Sequence, residues 1–301
     1  MFQPFKLSAA LCGLFMTLSA HAGKLSIVID DFGYRPVEEN KVLQMPTAIS
    51  VAVLPNAPHA RAMATKAHQG GREVLIHLPM APLSKQPLEK DTLTPEMSSA
   101  EIERIIREAS SKVPYAVGLN NHMGSKMTSS LPGMQKVMQV LNHYNYYFLD
   151  SMTIGNSQSI PAAQGTNVKV LKRRVFLDDS QNEAAIRTQF TRAVKLAQRD
   201  GYAIAIGHPH PTTVRVLQQM LPSLPADITL VRPSQLLNEP LHHGSTSSPA
   251  KNLPLPDSRF RAPGVCKAGK PLPPVPQSYA VELVSGSIAQ SQLVKSLKLL
   301  F

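Results

Sequence analysis

Leu25-Ser26-Ile27-Val28-Ile29-Asp30-Asp31-Phe32-Gly33-Tyr34 is an apolar, β-branched run that stops abruptly at two acids and a glycine. Such a run reads as a buried strand of a parallel sheet that delivers carboxylates at its C-terminal end. An acid after a strand also serves commonly as a helix cap or turn residue, so the pair alone leaves structural and functional roles open. Successive strand residues face opposite sides, so both acids serve one site only if the backbone bends where the strand ends. The following Phe32-Gly33 offers that bend.

Working outward, the same form recurs. Apolar runs at 73–80, 115–122, 146–150, 175–179 and 202–208 each carry or finish on a polar side chain, and 47–54, 168–171 and 227–231 add further strands. Helical patterns fill the gaps at 36–45, 57–69, 98–111, 134–144, 161–164, 182–199 and 213–221. The first of these has Pro near its start, and that at 98–111 opens with Ser98 and Glu101 spaced as a capping box. This alternation, with near-continuous apolar strands, predicts an α/β fold around a parallel sheet. Asp30, Asp31, His77, Asn121, His122, Asp150, Asp178, Asp179 and His208 all fall at C-terminal strand ends, the edge on which barrels and open α/β sheets build their sites.

The two ends of the chain have a different character. Lys6, the apolar stretch 7–20 and Ala20-His21-Ala22 form the pattern of a secretory signal peptide cleaved near Ala22, too short for a membrane span. Residues 1–22 are therefore set apart from the fold, the expected compartment is the periplasm, and the mature chain is expected to have no transmembrane span. Cys12 lies in this leader behind Leu11, which argues against a lipid-anchored protein and leaves Cys266 alone, with no intrachain disulfide in the mature chain. From residue 239 to 301 the composition shifts to Pro, Ser, His and Lys, with Pro271-Leu272-Pro273-Pro274-Val275-Pro276 the densest part. It reads as a flexible, polyproline-like tail behind a domain at 23–238.

Lys and Arg number 31 against 20 Asp and Glu, a net charge of +11 that loss of Lys6 lowers by one. That balance suits work beside anionic envelope polymers or membrane surfaces, while nucleic acid is a poor partner for an exported protein. The only dense cluster in the domain, Lys172-Arg173-Arg174, is expected to be a solvated strand edge.

The polar rim supports metal chemistry. One carboxylate and two imidazoles can hold Zn²⁺ and leave a coordination position for water, and Asp31, His77 and His122 form the best such trio. Zinc lowers the pKa of its water to about 7. Asp30 could take the proton, and His208 could protonate a leaving amine. His77 and His122 sit inside apolar strand sequence, where an unpartnered imidazole is expensive to bury. His59, His68, His143, His242 and His243 read as surface residues, whereas His208 with His210 leaves a second metal site open. Asn121, Asp150, Asp178 and Asp179 are candidates to bind substrate or to orient the ligands and the base.

Taken together, Ile29-Asp30-Asp31-Phe32-Gly33, Val53-Leu54-Pro55-Asn56-Ala57-Pro58, Ile76-His77-Leu78-Pro79-Met80, Asn120-Asn121-His122-Met123-Gly124-Ser125, Phe148-Leu149-Asp150-Ser151, Phe176-Leu177-Asp178 and Ile206-Gly207-His208-Pro209 resemble the divergent polysaccharide deacetylase family over about residues 24–238. The resemblance implies a distorted (β/α) barrel of about seven parallel strands and removal of N-acetyl groups from glycans with one divalent ion, zinc in the first instance. It assigns the base to Asp30, a metal ligand to Asp31 and the acid to His208, and matches His77 and His122 to the family's histidines. One departure is visible: typical polysaccharide deacetylases draw both metal histidines from one short segment, whereas here they lie on two strands, and the typical Arg-containing loop is not recognisable.

The expected function is a periplasmic hydrolase of envelope carbohydrate, with peptidoglycan amino sugars as the substrate class. The alternatives are a catalytically inactive envelope or cell-wall binding protein that keeps the fold and, further off, a two-metal phosphoesterase. Aromatics make up 5% of the chain and Trp is absent, so stacking on a sugar would fall to Tyr and Phe.

Overall fold

In the computed structural model, which describes residues 22–240, nine parallel strands form one curled sheet with helices on its outer face. Apart from Ala22, Glu239 and Pro240, the expected leader and tail lie outside the described residues. In chain order the elements are β1 (Gly23–Phe32), α1 (Pro36–Val42), β2 (Ser50–Val53), α2 (Ala60–Gln69), β3 (Val74–Met80), α3 (Ser99–Lys112), β4 (Ala116–Met123), α4 (Ser125–Thr128), α5 (Leu131–Tyr144), β5 (Tyr147–Asp150), α6 (Ser159–Ala163), β6 (Val170–Lys172), β7 (Val175–Phe176), α7 (Glu183–Asp200), β8 (Tyr202–Gly207), α8 (Pro211–Met220) and β9 (Ile228–Leu230). The single turn α4 is not anticipated by the sequence pattern. Helix ends follow local chemistry: the Ser98 side chain accepts from the Glu101 N–H to open α3, and the Asn182 side chain accepts from the Ala184 and Ala185 N–H groups to open α7.

The hydrogen-bonded order is β6-β5-β4-β3-β2-β1-β8-β7, with β9 beside β1. Read around the curl, this is sequential winding with one break, between β6 and β7. Only Arg173-Arg174 separates these two, and parallel neighbours need a crossover of a dozen or more residues. They therefore act as two halves of one strand that changes partner. The Arg173 N–H donates to Asp150 O on the β5 side at 2.9 Å, and the Arg174 N–H donates to Ile204 O on the β8 side at 2.8 Å. Counting the halves as one gives seven positions around the curl, as expected, and β9 adds a short ladder against Gly23, Lys24 and Leu25.

Lys172-Arg173-Arg174 is consequently not a solvated edge. The Arg173 guanidinium donates to Ser151 O at 2.5 Å and Met152 O at 2.8 Å and lies over the Phe176 ring at 4.7 Å; Arg174 pairs with Asp200 at 2.7 Å. The seam needs donors for backbone carbonyls that no adjacent strand can satisfy.

Two apolar layers hold the domain. Ile102, Ile105 and Ile106 of α3, Val137 and Leu141 of α5 and Phe190 and Val194 of α7 pack on the outward side of the sheet with Leu25, Ile27 and Ile29. Val28, Ala52, Leu75, Leu149, Ile204 and Ile206 form the inner layer. Strand alternation then sets the inner face of β1 as Ser26, Val28, Asp30, and that of β3 and the residue before it as Glu73, Leu75, His77. Each column is polar, apolar, polar. At its lower end Glu73 accepts hydrogen bonds from Tyr147 Oη at 2.6 Å and from the Ser234 hydroxyl.

Gly118 shares this inner face. A Cβ there would stand 2.9 Å from Tyr147 O and from Tyr147 Cε1, and a backbone carbonyl cannot swing aside. Gly118→Ala should destabilise the domain by about 1–3 kcal/mol and lower Tm by roughly 2–4 °C per kcal/mol, followed by circular dichroism. Gly155→Ala, with nothing within 4 Å of its Cβ, should melt like the wild type. Coincident melting of both variants would contradict the inner packing.

Candidate active site

The bend that lets consecutive acids share one site lies at Asp31 itself. Ile29 pairs with Val51 and Phe32 with Val53, so Asp30 and Asp31 together oppose Ala52 alone: a β-bulge. Asp31 has φ 57, a left-handed conformation that Asp tolerates better than most residues, and Gly33 continues the turn at φ 114. The loop beyond is pinned by Glu39 of α1, which is fully buried. Its Oε1 accepts from the N–H groups of Gly33, Tyr34 and Arg35 at 2.9, 3.0 and 2.6 Å.

Asp31, His77 and His122 converge. Asp31 Oδ1 lies 3.3 Å from His77 Nε2 and 3.2 Å from His122 Nδ1, and the two nitrogens are 3.0 Å apart. Asp31 Oδ1 is nevertheless buried without a hydrogen-bond partner. Burial would raise its pKa, but His122, His77 and His208 outweigh that and hold the carboxyl well below the usual range. A tetrahedral site with bonds of about 2.0–2.1 Å has ligand-to-ligand edges of about 3.3–3.4 Å. An orphaned carboxylate oxygen facing two imidazole nitrogens at such separations fits a divalent metal such as zinc.

Asn120 prepares one of those nitrogens. Its Nδ2 donates to Asp30 Oδ1 at 2.8 Å, which turns its Oδ1 toward His77 Nδ1 at 2.7 Å. An amide oxygen only accepts, so the proton sits on Nδ1, and the lone pair of neutral His77 is left on Nε2, facing Asp31. On His122 the outer nitrogen Nε2 faces Glu89 at 3.4 Å, leaving Nδ1 toward Asp31.

Asp30 and His208 flank the trio. Asp30 is almost fully buried, and desolvation raises its pKa against the opposing pull of His77, His208 and Asn120. Asp30 Oδ2 lies 3.7 Å from His77 Nε2. His208 Nδ1 is bonded to Asp178 Oδ1 at 3.0 Å, while Asp178 Oδ2 accepts from the His208 N–H and from Thr213 Oγ1, each at 2.7 Å. Burial opposes protonation of this imidazole, but Asp178, Asp30 and Asp31 prevail and push its pKa up to about 9. His208 Nε2 faces Asp31 Oδ2 at 3.9 Å.

Other candidates from the sequence lie elsewhere. Asn121 sits on the opposite face of β4 from Asn120, where its side chain donates to Met123 O and accepts from the Ser151 N–H. Asp150 is fully buried and ties down the loop after β5 through the Met152 N–H, Ser157 Oγ and Ser159 Oγ. Asp179 is exposed. Asp178, His208 and His210 cluster closely enough to suggest a second metal. They do not fit one: His208 Nδ1 is committed to Asp178, and His210 Nδ1 meets the Arg35 guanidinium at 2.8 Å.

Asp31 and His122 of the trio line a cavity of about 350 Å³ together with Tyr34, Arg35, Leu54, Glu89, His208 and His210. A larger groove of about 820 Å³ runs along α7, lined by Arg187, Thr188, Arg192 and Lys195 and holding neither acid nor imidazole. Arg173, on the seam, carries its charge near Asp150, Asp30 and Asp179, which counter the effect of burial on its pKa.

A profile of the divergent polysaccharide deacetylase family matches residues 27–237. The chain belongs to this family. It is 65% identical over 295 residues to the uncharacterized protein YibQ of Escherichia coli, covering 97% of this chain and 92% of that one. An uncharacterized protein of Haemophilus influenzae is 44% identical over 218 residues, 72% of this chain and 78% of its own. The crystal structure of an uncharacterized protein from Agrobacterium tumefaciens superposes with a TM-score of 0.67 at 19% identity, over 72% of this chain and 90% of that one. It shares the fold.

Asn120, Glu89, Glu39 and Arg173 escape the sequence reading. Asn120 had a usable signal: it stands two residues before His122 and so faces the same side of the strand. Asn120→Ala should weaken zinc binding about 10- to 100-fold, measured by calorimetry on the full chain, because His77 loses the acceptor that fixes its proton. Unaltered affinity would remove Asn120 from the site.

Proposed function

We propose that this protein is a periplasmic, metal-dependent hydrolase that removes acetyl or similar acyl groups from the amino sugars of an envelope carbohydrate, with peptidoglycan as the polymer. The observation that carries the reading is the orphaned Asp31 Oδ1 aimed at the nitrogens of His77 and His122, with a buried acid on one flank and a protonated imidazole on the other. Zinc or a similar ion, when bound by these three residues, supplies Lewis acidity toward water and the acyl carbonyl.

The chain's own groups handle the protons. Asn120 occupies Asp30 Oδ1, so Oδ2 is the oxygen that receives a proton from the attacking water. Burial makes this carboxylate a stronger base than an exposed one. As the carbon–nitrogen bond breaks, His208 Nε2 delivers its proton to the departing amine, while Asp178 keeps the proton on Nδ1 and holds the ring. Phe176 lies against the His208 ring at a centroid distance of 5.3 Å. A binding protein that merely kept the fold would have no use for a desolvated base and an acid held in this orientation.

Purified mature protein should carry one equivalent of metal, lost in Asp31→Ala, His77→Ala and His122→Ala. Asp30→Asn and His208→Gln should retain the metal and lose about 10²- to 10⁴-fold in turnover of N-acetylated oligosaccharides. Metal content is read by mass spectrometry and turnover by released acetate. Protein that takes up no metal after reconstitution, or that hydrolyses normally without Asp30, refutes the mechanism.

A further inference from the structure

Arg35 stands exposed at the mouth of the cavity, four residues beyond the Asp31 ligand. Among the described residues its guanidinium has one hydrogen-bond partner, His210 Nδ1 at 2.8 Å, and it pairs with no carboxylate. Arg104, Arg174, Arg199 and Arg215, by contrast, each hold an acid. The base of Arg35 is fixed by the Glu39 carboxylate on its own N–H. A guanidinium only donates, so His210 Nδ1 accepts, and the imidazole props the arginine across the cleft from the β8–α8 loop while its far nitrogen faces Gln181 at 3.3 Å.

His210 is also the N-cap residue of the ten-residue helix α8, and its side chain makes no cap. Thr212 Oγ1, in the first turn of that helix, is buried without a partner. A guanidinium held at one N–H by His210 and paired with no carboxylate keeps its other donors available at a cavity mouth that Glu89 also lines.

We infer that Arg35, propped by His210, forms an oxyanion subsite beside the metal trio, and that the substrate is an N-acylated amino sugar bearing a carboxylate or a phosphate. The acyl amide lies at Asp31, His77 and His122, and the acidic group of the same sugar or its neighbour takes the free N–H groups of Arg35. Four of the five guanidinium donors are open for a bidentate contact, the geometry that carboxylate and phosphate share. This inference deepens the hydrolase reading and rests on it for the position of the amide.

The test uses the metal-loaded full chain and three matched probes: N-acetylglucosamine oligomers, oligomers in which the residue carries the lactyl carboxylate of N-acetylmuramic acid, and oligomers with a 6-phosphate. One acidic series should exceed the neutral one in kcat/KM by about tenfold or more, chiefly through KM, and its identity distinguishes carboxylate from phosphate. Arg35→Gln should cut the acidic-to-neutral ratio about 10- to 100-fold. Equal use of neutral and acidic oligomers by the wild type, or a ratio that Arg35→Gln leaves in place, overturns the subsite.

Calorimetric titration of Asp30→Asn with the same probes, alone and combined with Arg35→Gln, separates this inference from the hydrolase reading. Arg35-dependent binding of the acidic sugar without hydrolysis by the wild type sustains the subsite and removes the activity. Hydrolysis indifferent to Arg35 does the reverse, and neither binding nor hydrolysis overturns both.

Discussion

The site depends on a backbone that refuses to alternate. Continued as a regular strand, β1 would send the Asp30 side chain inward and the Asp31 side chain outward. The bulge opposite Ala52 and the left-handed Asp31 turn both carboxylates to the same side. A non-glycine residue in that conformation costs on the order of 1–3 kcal/mol, which the surroundings must offset. They do so from three directions: β8 holds the strand up to the pair of Ile29 with Gly207, β2 takes it up again at Phe32, and Glu39 gathers the three amides that follow.

Once bent, the pair divides its labour by what each acid touches. Asp30 is sealed in and tied to Asn120, which in turn dictates which nitrogen of His77 carries hydrogen. Asp31 has one oxygen that bonds to nothing although two imidazoles surround it. A single chain of contacts thus runs from the base, through an amide, to the electron pair of a candidate ligand. Changing one member alters the others.

Much of the fold was legible because parallel strands buried on both faces advertise themselves as apolar runs, and a polar residue at the end of each is conspicuous. Asp30, Asp31, His77, His122 and His208 share one rim for that reason. The misplacements share a cause as well. Asn121 and Asn120 are chemically identical in sequence, and only the face of β4 separates the residue that bonds the base from the one that braces a loop. Asp150 ends its strand like the others, yet two nearby serines and a backbone amide consume it. Arg173 resembles surface charge until β6 and β7 are recognised as one strand with two partners. Pairings of this kind join residues far apart in the chain, and no local pattern announces them.

The columns on the inner face have a consequence for traffic. Beneath the acids and imidazoles lie Val28, Leu75 and Ile206, all fully buried, and beneath these the polar group around Glu73. Among the described residues this apolar floor separates the chemistry from the polar group below, so the cleft opens on one side. Whatever enters at the Tyr34 and Arg35 rim leaves by the same door, and a departing product must clear it before the next molecule arrives.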